Sequence, residues 1–176
     1  MSKMELRLTG SGGQGVILAT IILAEAALNG GKNAVQSQSY GPEARGGMCK
    51  AEVIVSDENV WFTKVVNPTF LLALTQNSLD KYTETVDENC VIMADSSLTL
   101  PERIKKNRVF SVPILQTARE VVGKSFTANI VAVAAINAAL GLVPFEVLKE
   151  SVMNRIPKGT EAINIKALEE GAKLIK

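Results

Sequence analysis

The segment Gly10-Ser11-Gly12-Gly13-Gln14-Gly15 stands between an alternating stretch and a long apolar one, and it constrains this chain more than any other feature. Before it, Met4, Leu6 and Leu8 alternate with Glu5, Arg7 and Thr9, the period of a half-buried strand over residues 3–9. After it, residues 16–28 are almost wholly apolar and predict a helix, which Gly30-Gly31 ends because glycine tolerates the left-handed conformation there. A glycine turn between strand and helix fits G-x-G-x-x-G. Such glycines let the backbone turn tightly and let a ligand approach, while the helix N-terminus offers unpaired N–H groups to an anion.

Three uses of the turn stay open at this point. It could hold a dinucleotide, contact a phosphate or carboxylate of some other ligand, or serve close packing alone. A dinucleotide site calls for an acidic residue at the end of the second strand, about 20 residues on. Here the second predicted strand, Asn33–Ser39, ends in Gln36-Ser37-Gln38-Ser39, and no carboxylate follows until Glu43.

The remaining pattern alternates strands with helices. Residues 48–55 and 60–66 read as an antiparallel hairpin about the turn Ser56-Asp57-Glu58-Asn59. Asn67-Pro68, an N-cap followed by proline, predicts a helix running to about Thr85. Residues 90–94 and 108–112 read as short strands, ended by Asp95 and Pro113. Helices are then expected over 115–122, 128–140, 145–155 and 167–175. The expectation is one domain over residues 1–176, a three-layer α/β/α sandwich with a mixed, mostly parallel sheet and a Rossmann-like glycine loop after the first strand.

Composition excludes several function classes. With 19 basic and 18 acidic residues among 176, the net charge of +1 gives no broad attraction for nucleic acid or an anionic membrane. The local cluster Arg103, Lys105, Lys106, Arg108 reads as a solvated helix end. The N-terminal residues lack a signal-peptide stretch, and the longest apolar run, 130–143, is too short to span a bilayer. There is no histidine, which rules out His-based acid–base chemistry and a Ser-His-Asp triad. The two cysteines, Cys49 and Cys90, fall short of the four thiolates an iron–sulfur cluster normally takes.

A second loop, Tyr40-Gly41-Pro42-Glu43-Ala44-Arg45-Gly46-Gly47, follows the second strand. If strands one and two are parallel neighbours, both glycine loops lie at the carboxyl edge of the sheet, where open α/β folds bind ligands and partners. Arg45 can fork onto a carboxylate or phosphate, and Glu43 can pair with it or meet a partner. The alternative is a solvent-exposed Glu43–Arg45 pair on a loop tip. Asp95 sits at the same edge, as a ligand contact or as a cap for Ser96 and Ser97. Asn129 and Asn137 are expected to satisfy buried backbone groups, Cys90 to lie in the core, and Cys49 to be more accessible. Trp61 and Phe62 read either as an exposed anchor for a partner subunit or as one core ring and one solvent ring.

Taken together, the two loops resemble the gamma subunit of 2-oxoacid:ferredoxin oxidoreductases (pyruvate, 2-oxoglutarate or 2-ketoisovalerate type). The resemblance rests on residues 10–15 with Ser39-Tyr40-Gly41-Pro42-Glu43-Ala44-Arg45-Gly46-Gly47. It continues through Ser56-Asp57, Asp95-Ser96, Pro113, Ala118, Gly123 and Asn129 to Asn164, Ala167 and Gly171. One departure is Ala134, where the family leads one to expect glycine.

What the resemblance implies is a division of labour in the cytoplasm. Other subunits, of alpha, beta and delta type, would bind thiamine diphosphate, magnesium and [4Fe-4S] clusters. The complex would decarboxylate a 2-oxoacid oxidatively, pass two electrons to ferredoxin and transfer the acyl group to coenzyme A, a substrate. This chain would bind no cofactor alone, carry no catalytic residue or metal, and be inactive in isolation. Its expected part is assembly, closing the active-site region or helping to receive coenzyme A. The implied contact residues are Gly10, Ser11, Gly12, Gly13, Gln14, Gly15, Tyr40, Gly41, Pro42, Glu43, Arg45, Gly46 and Gly47. A homodimer of the isolated chain is a further option. The alternatives are an indolepyruvate oxidoreductase subunit, a stand-alone nucleotide-binding module, and a purely structural adaptor.

Overall fold

In the computed structural model, which describes residues 3–39 and 47–176, six strands form one sheet in the order β2-β3-β1-β4-β5-β6. The strands are β1 (Met4–Ser11), β2 (Asn33–Ser39), β3 (Met48–Ser56), β4 (Phe70–Ala73), β5 (Val91–Asp95) and β6 (Val109–Val112). The helices are α1 (Val16–Asn29), α2 (Gln76–Tyr82), α3 (Ile114–Gln116), α4 (Ala128–Leu140), α5 (Phe145–Met153) and α6 (Glu161–Lys173). A π-helical turn, Thr117–Val122, continues α3. Strands β1, β4, β5 and β6 pair in parallel, and β3 runs antiparallel to both β1 and β2. The sheet is mixed and mostly parallel, as expected.

Alternation along the strands divides the core. Leu6 and Leu8 of β1, Ala51, Val53 and Val55 of β3 and Phe70 and Leu72 of β4 join α1, α4, α5 and α6 in one large apolar cluster. Leu71, Ala73, Ile92 and Ala94 point the other way, onto Leu79 and Ile104, in a smaller cluster. Helix α4 is buried from Ala128 through Asn137, an all-round apolar helix as a core element requires. At Gly171 of α6 an added Cβ would stand 2.9 Å from the Ala134 Cβ, so the alanine at the unexpected position is accommodated by the bare glycine facing it. Asn137 satisfies both polar groups of Val143, as expected: its Nδ2 donates to the carbonyl at 3.0 Å and its Oδ1 accepts from the N–H at 3.1 Å.

Two expectations are corrected. The hairpin does not form with residues 60–66, because β3 is already paired along its length with β1 on one side and β2 on the other. Residues 60–66 instead form an arm without regular secondary structure, with only Val65 buried among its large apolar residues, and Trp61, Phe62 and Val66 exposed. Strands β1 and β2 run in the same direction, but β3 separates them. The long helix expected from Asn67-Pro68 is also absent. Phe70-Leu71-Leu72-Ala73 is a central strand between β1 and β5, and α2 starts only after Thr75, whose hydroxyl caps Ser78 N–H at 3.4 Å. A four-residue apolar run is the pattern of a strand covered on both faces, and periodicity alone does not separate it from buried helix. The last helix begins at Glu161, earlier than expected.

The basic cluster is part of the surface. Arg103 donates to the Thr83 hydroxyl at 3.0 Å, Lys106 pairs with Glu88 at 2.7 Å, and Lys105 pairs with Glu102. Among the described residues, no helix is long and apolar enough to cross a membrane.

Candidate functional site

Strand β1 delivers its last residue, Ser11, to the carboxyl edge of the sheet, and the chain turns there into α1. The turn closes on itself: Ser11 N–H donates to Gln14 Oε1 at 2.7 Å, and Gln14 N–H donates back to the Ser11 carbonyl at 3.2 Å. Gly13 and Gly15 take φ values of +91° and +75°, which a side chain rarely tolerates. Gly15 is also crowded, since an added Cβ would stand 2.6 Å from Asn129 Nδ2. Asn129 lies at the start of α4, accepts from Ile130 N–H at 3.0 Å and reaches the Gly15 carbonyl at 3.5 Å. The amino ends of α1 and α4 therefore meet, with no acidic residue in the first turn of either and no side-chain cap on α1.

The second loop returns to this turn. Gly12 N–H donates to the Gly47 carbonyl at 3.1 Å, and Ser11 and Gly10 stand opposite Met48 and Cys49 in the ladder. Strand β2 arrives at the same edge with Ser39 opposite Lys50. The structure thus brings Gly10, Ser11, Gly12, Gly13, Gln14, Gly15 and Gly47 together. Tyr40, Gly41, Pro42, Glu43, Arg45 and Gly46 lie outside the described residues.

This geometry weakens the dinucleotide reading. In that arrangement the second strand lies beside the first and offers an acidic residue at its carboxyl end. Here the strand beside β1 is the antiparallel β3, which meets this edge with its amino end. Asp95 is occupied by structure: its Oδ1 accepts from Ser97 N–H at 3.0 Å and from the Ser97 hydroxyl at 2.6 Å, and its Oδ2 accepts from Leu115 N–H at 2.8 Å.

Neither thiol is activated. Cys90 is buried in the core, and burial pushes its pKa up to about 12. Cys49 is half-buried, and burial raises its thiol as well. Among the described residues, no group of three Cys, Asp or Glu side chains is placed to hold a metal ion.

A second surface lies at the opposite end of the strands. Leu28, Asn33, Ala34, Val35, Asn59, Val60 and Trp61 line an open recess of about 270 Å³. Ala34 and Val35 pair with Val55 and Ile54, which in turn sit beside Met4 and Glu5, at the start of β1. Trp61 is 89% exposed and Phe62 61%, so neither ring packs into the core.

Sequence reasoning passed over one group. Arg7 of β1 and Glu52 of β3 face each other across the ladder, both buried, with Arg7 Nε 2.6 Å from Glu52 Oε1. The only sequence signal was a charge of each sign in mid-strand, Arg7 on the polar side of residues 3–9 and Glu52 within residues 48–55.

The family description "Pyruvate ferredoxin/flavodoxin oxidoreductase" matches residues 5–174. A 2-oxoglutarate synthase subunit, KorC, of Methanocaldococcus jannaschii is 40% identical over 177 residues, covering 99% of this chain and 95% of that relative. The crystal structure of a keto/oxoacid ferredoxin oxidoreductase gamma subunit from Geobacter sulfurreducens superposes with a TM-score of 0.86 at 43% identity, covering 98% of both chains. The fold also matches part of a 2-oxoglutarate:ferredoxin oxidoreductase from Magnetococcus marinus, solved with 2-oxoglutarate, coenzyme A and succinyl-CoA bound. That likeness has a TM-score of 0.90 at 19% identity and covers 99% of this chain but 31% of the other.

Proposed function

The chain belongs to the pyruvate ferredoxin/flavodoxin oxidoreductase family, and from that premise we propose that it is the gamma subunit of a cytoplasmic 2-oxoacid:ferredoxin oxidoreductase. It is one domain over residues 1–176. The observation that carries the reading is similarity to a keto/oxoacid ferredoxin oxidoreductase gamma subunit over 98% of each chain, at 43% identity. The complex converts a 2-oxoacid and coenzyme A to acyl-CoA and carbon dioxide, with two electrons passing to ferredoxin. The oxoacid to assay first is 2-oxoglutarate, after the 2-oxoglutarate synthase to which the KorC relative belongs.

The residues of this chain do not fit an iron–sulfur cluster. It has two cysteines and no histidine, where a cluster takes four thiolates. Thiamine diphosphate, magnesium and the [4Fe-4S] clusters belong to alpha, beta and delta-type neighbours. The part left to this chain is to orient and enclose. Residues 10–15 and Gly47, at the carboxyl edge, face coenzyme A or close over the active-site region, and the same role is assigned to Tyr40, Gly41, Pro42, Glu43, Arg45 and Gly46 of the second loop. The converging amino ends of α1 and α4 favour an anionic group there. At the other end of the sheet, Trp61 and Phe62 are the anchor for a partner subunit, as large exposed aromatics commonly are.

The test is affinity purification of the tagged chain from its native cell, with assay of 2-oxoacid- and coenzyme A-dependent reduction of a viologen dye. Co-purifying thiamine- and cluster-binding subunits with that activity are expected. Replacing Trp61 and Phe62 with alanine should release those subunits while the chain itself stays folded. Recovery of the chain without them, or with no such activity, would refute the reading.

A further inference from the structure

We propose that β2 is a pairing edge, along which a partner subunit of the complex lays an extended, uncharged segment that adds a strand to the sheet. The inference rests on the proposed function and deepens it, by naming what the partner anchored at Trp61 contributes. The two edges of the sheet are built differently. Strand β6 is four residues long, ends in buried Val112, and has the Arg108 guanidinium over its Phe110 ring at 4.9 Å. Short length and a charge at the margin are devices that discourage foreign strands. Strand β2 is seven residues long and carries no charge and no proline. Its register with β3 runs from Asn33 opposite Ser56 to Ser39 opposite Lys50 without a bulge. In an antiparallel ladder alternate residues turn N–H and C=O away from the neighbour, and among the described residues no strand lies beyond β2 to take them. The edge is already held in place from one face. Gln36 Nε2 donates to Thr20 Oγ1 of α1 at 3.1 Å, and Ala34 packs against the large core cluster, so only the incoming segment has to be ordered.

The recess at the amino end of β2 sets the chemistry of the occupant. Its walls are apolar at Leu28, Ala34, Val35, Val60 and Trp61, and none of its lining residues is charged. A strand paired there places a side chain beside the exposed Leu28 and Trp61. An apolar side chain gains by covering them, whereas a charge would lose water with no counter-charge to meet it. Main-chain bonds along β2 then give affinity, and the recess fixes the register. A second copy of this chain suits the edge less well. Paired antiparallel along the whole of β2, about a twofold at Gln36, it would set Ala34 against Gln38 and Val35 against Ser37, the apolar end of each strand on the polar end of the other. A partner subunit is favoured by continuity. Trp61 is both a wall of the recess and part of the arm that carries exposed Phe62 and Val66, so one neighbour covers arm and edge together.

The experiment compares the isolated full chain with the purified complex by hydrogen–deuterium exchange. It also compares the partner subunits recovered by the wild type with those recovered by Leu28→Lys, Val35→Lys and Ser111→Lys. Amides of residues 33–37 are expected to exchange at least about tenfold more slowly in the complex, because the outward N–H groups gain acceptors. Leu28→Lys and Val35→Lys, folded by circular dichroism, should recover about a tenth or less of the thiamine- and cluster-binding subunits. Ser111→Lys, at an exposed position of β6, should recover them fully. Leu28 is exposed on α1, so its variant keeps the test decisive even if Val35→Lys does not fold. Unchanged exchange at residues 33–37 in an assembled complex, full recovery by Leu28→Lys, or an equal loss with Ser111→Lys overturns the edge site and leaves the proposed function standing. An isolated wild type that is already dimeric, with those amides protected, also overturns it, because the occupant is then a second copy. A wild-type chain that brings down no such subunits overturns both.

Discussion

Gly13 and Gly15 offer an internally controlled test of how the turn is held. Both have positive φ, +91° and +75°, but their surroundings differ. An alanine at Gly13 would meet nothing within 4 Å, whereas at Gly15 its Cβ would stand 2.6–2.9 Å from the Nδ2, Cγ and Cβ of Asn129. The left-handed conformation costs an L-residue roughly 1–2 kcal/mol, and losing a glycine from the unfolded chain returns about 0.4–1. Gly13→Ala should therefore destabilise by about 1 kcal/mol. Gly15→Ala adds overpacking of about 1–3 kcal/mol, because the clash includes the Asn129 Cβ, which cannot swing away without moving α4. The expected total is about 2–4 kcal/mol. Urea unfolding followed by circular dichroism reads both, since the single tryptophan, Trp61, is exposed and reports burial poorly. Equal losses for the two variants, at unchanged m-value, would show that Asn129 does not confine Gly15 and refute the packing argument.

Two further outcomes follow from the buried groups. Thiolate is the reactive form, so Cys90, with its pKa pushed up to about 12 by burial, should resist alkylation at pH 8 until the chain unfolds; Cys49, also raised, should react slowly and faster as pH climbs, with mass spectrometry distinguishing the two. Arg7→Met should cost about 3 kcal/mol by leaving Glu52 buried with only the more distant Lys50, and the double change Arg7→Met with Glu52→Leu should recover most of that loss in chemical denaturation.

Much of the local structure was legible because it is written in short-range pattern. The apolar run after Gly15 becomes α1, and the expected helix over 128–140 has the bounds of α4. The strands β1, β2, β5 and β6 were recognisable from alternation or short apolar runs. The approach of Gly47 to Gly12 agrees with the expectation that the two loops share the carboxyl edge, although β3 separates the two strands that the expectation took as neighbours. The match over residues 5–174 agrees with the family resemblance carried by the two loop motifs.

What the chain's pattern could not contain was who pairs with whom. A period of two marks residues 48–55 as a strand, but the same alternation suits an arm, an edge or a neighbour on either side. Only the folded sheet decided that β3 enters between β2 and β1, which displaces residues 60–66 into an exposed arm and removes the strand neighbour a dinucleotide needs. The run Phe70-Leu71-Leu72-Ala73 became a strand because β1 and β5 flank it, a contact between segments far apart in sequence. The same non-local register placed Arg7 against Glu52, 45 residues away, and so created the charged cluster on the second face. Hydrophobic period and turn chemistry are properties of neighbouring residues and can be read along the chain. Strand order and cross-strand charge pairs are set by which surfaces bury each other, and exist only once the sheet has closed.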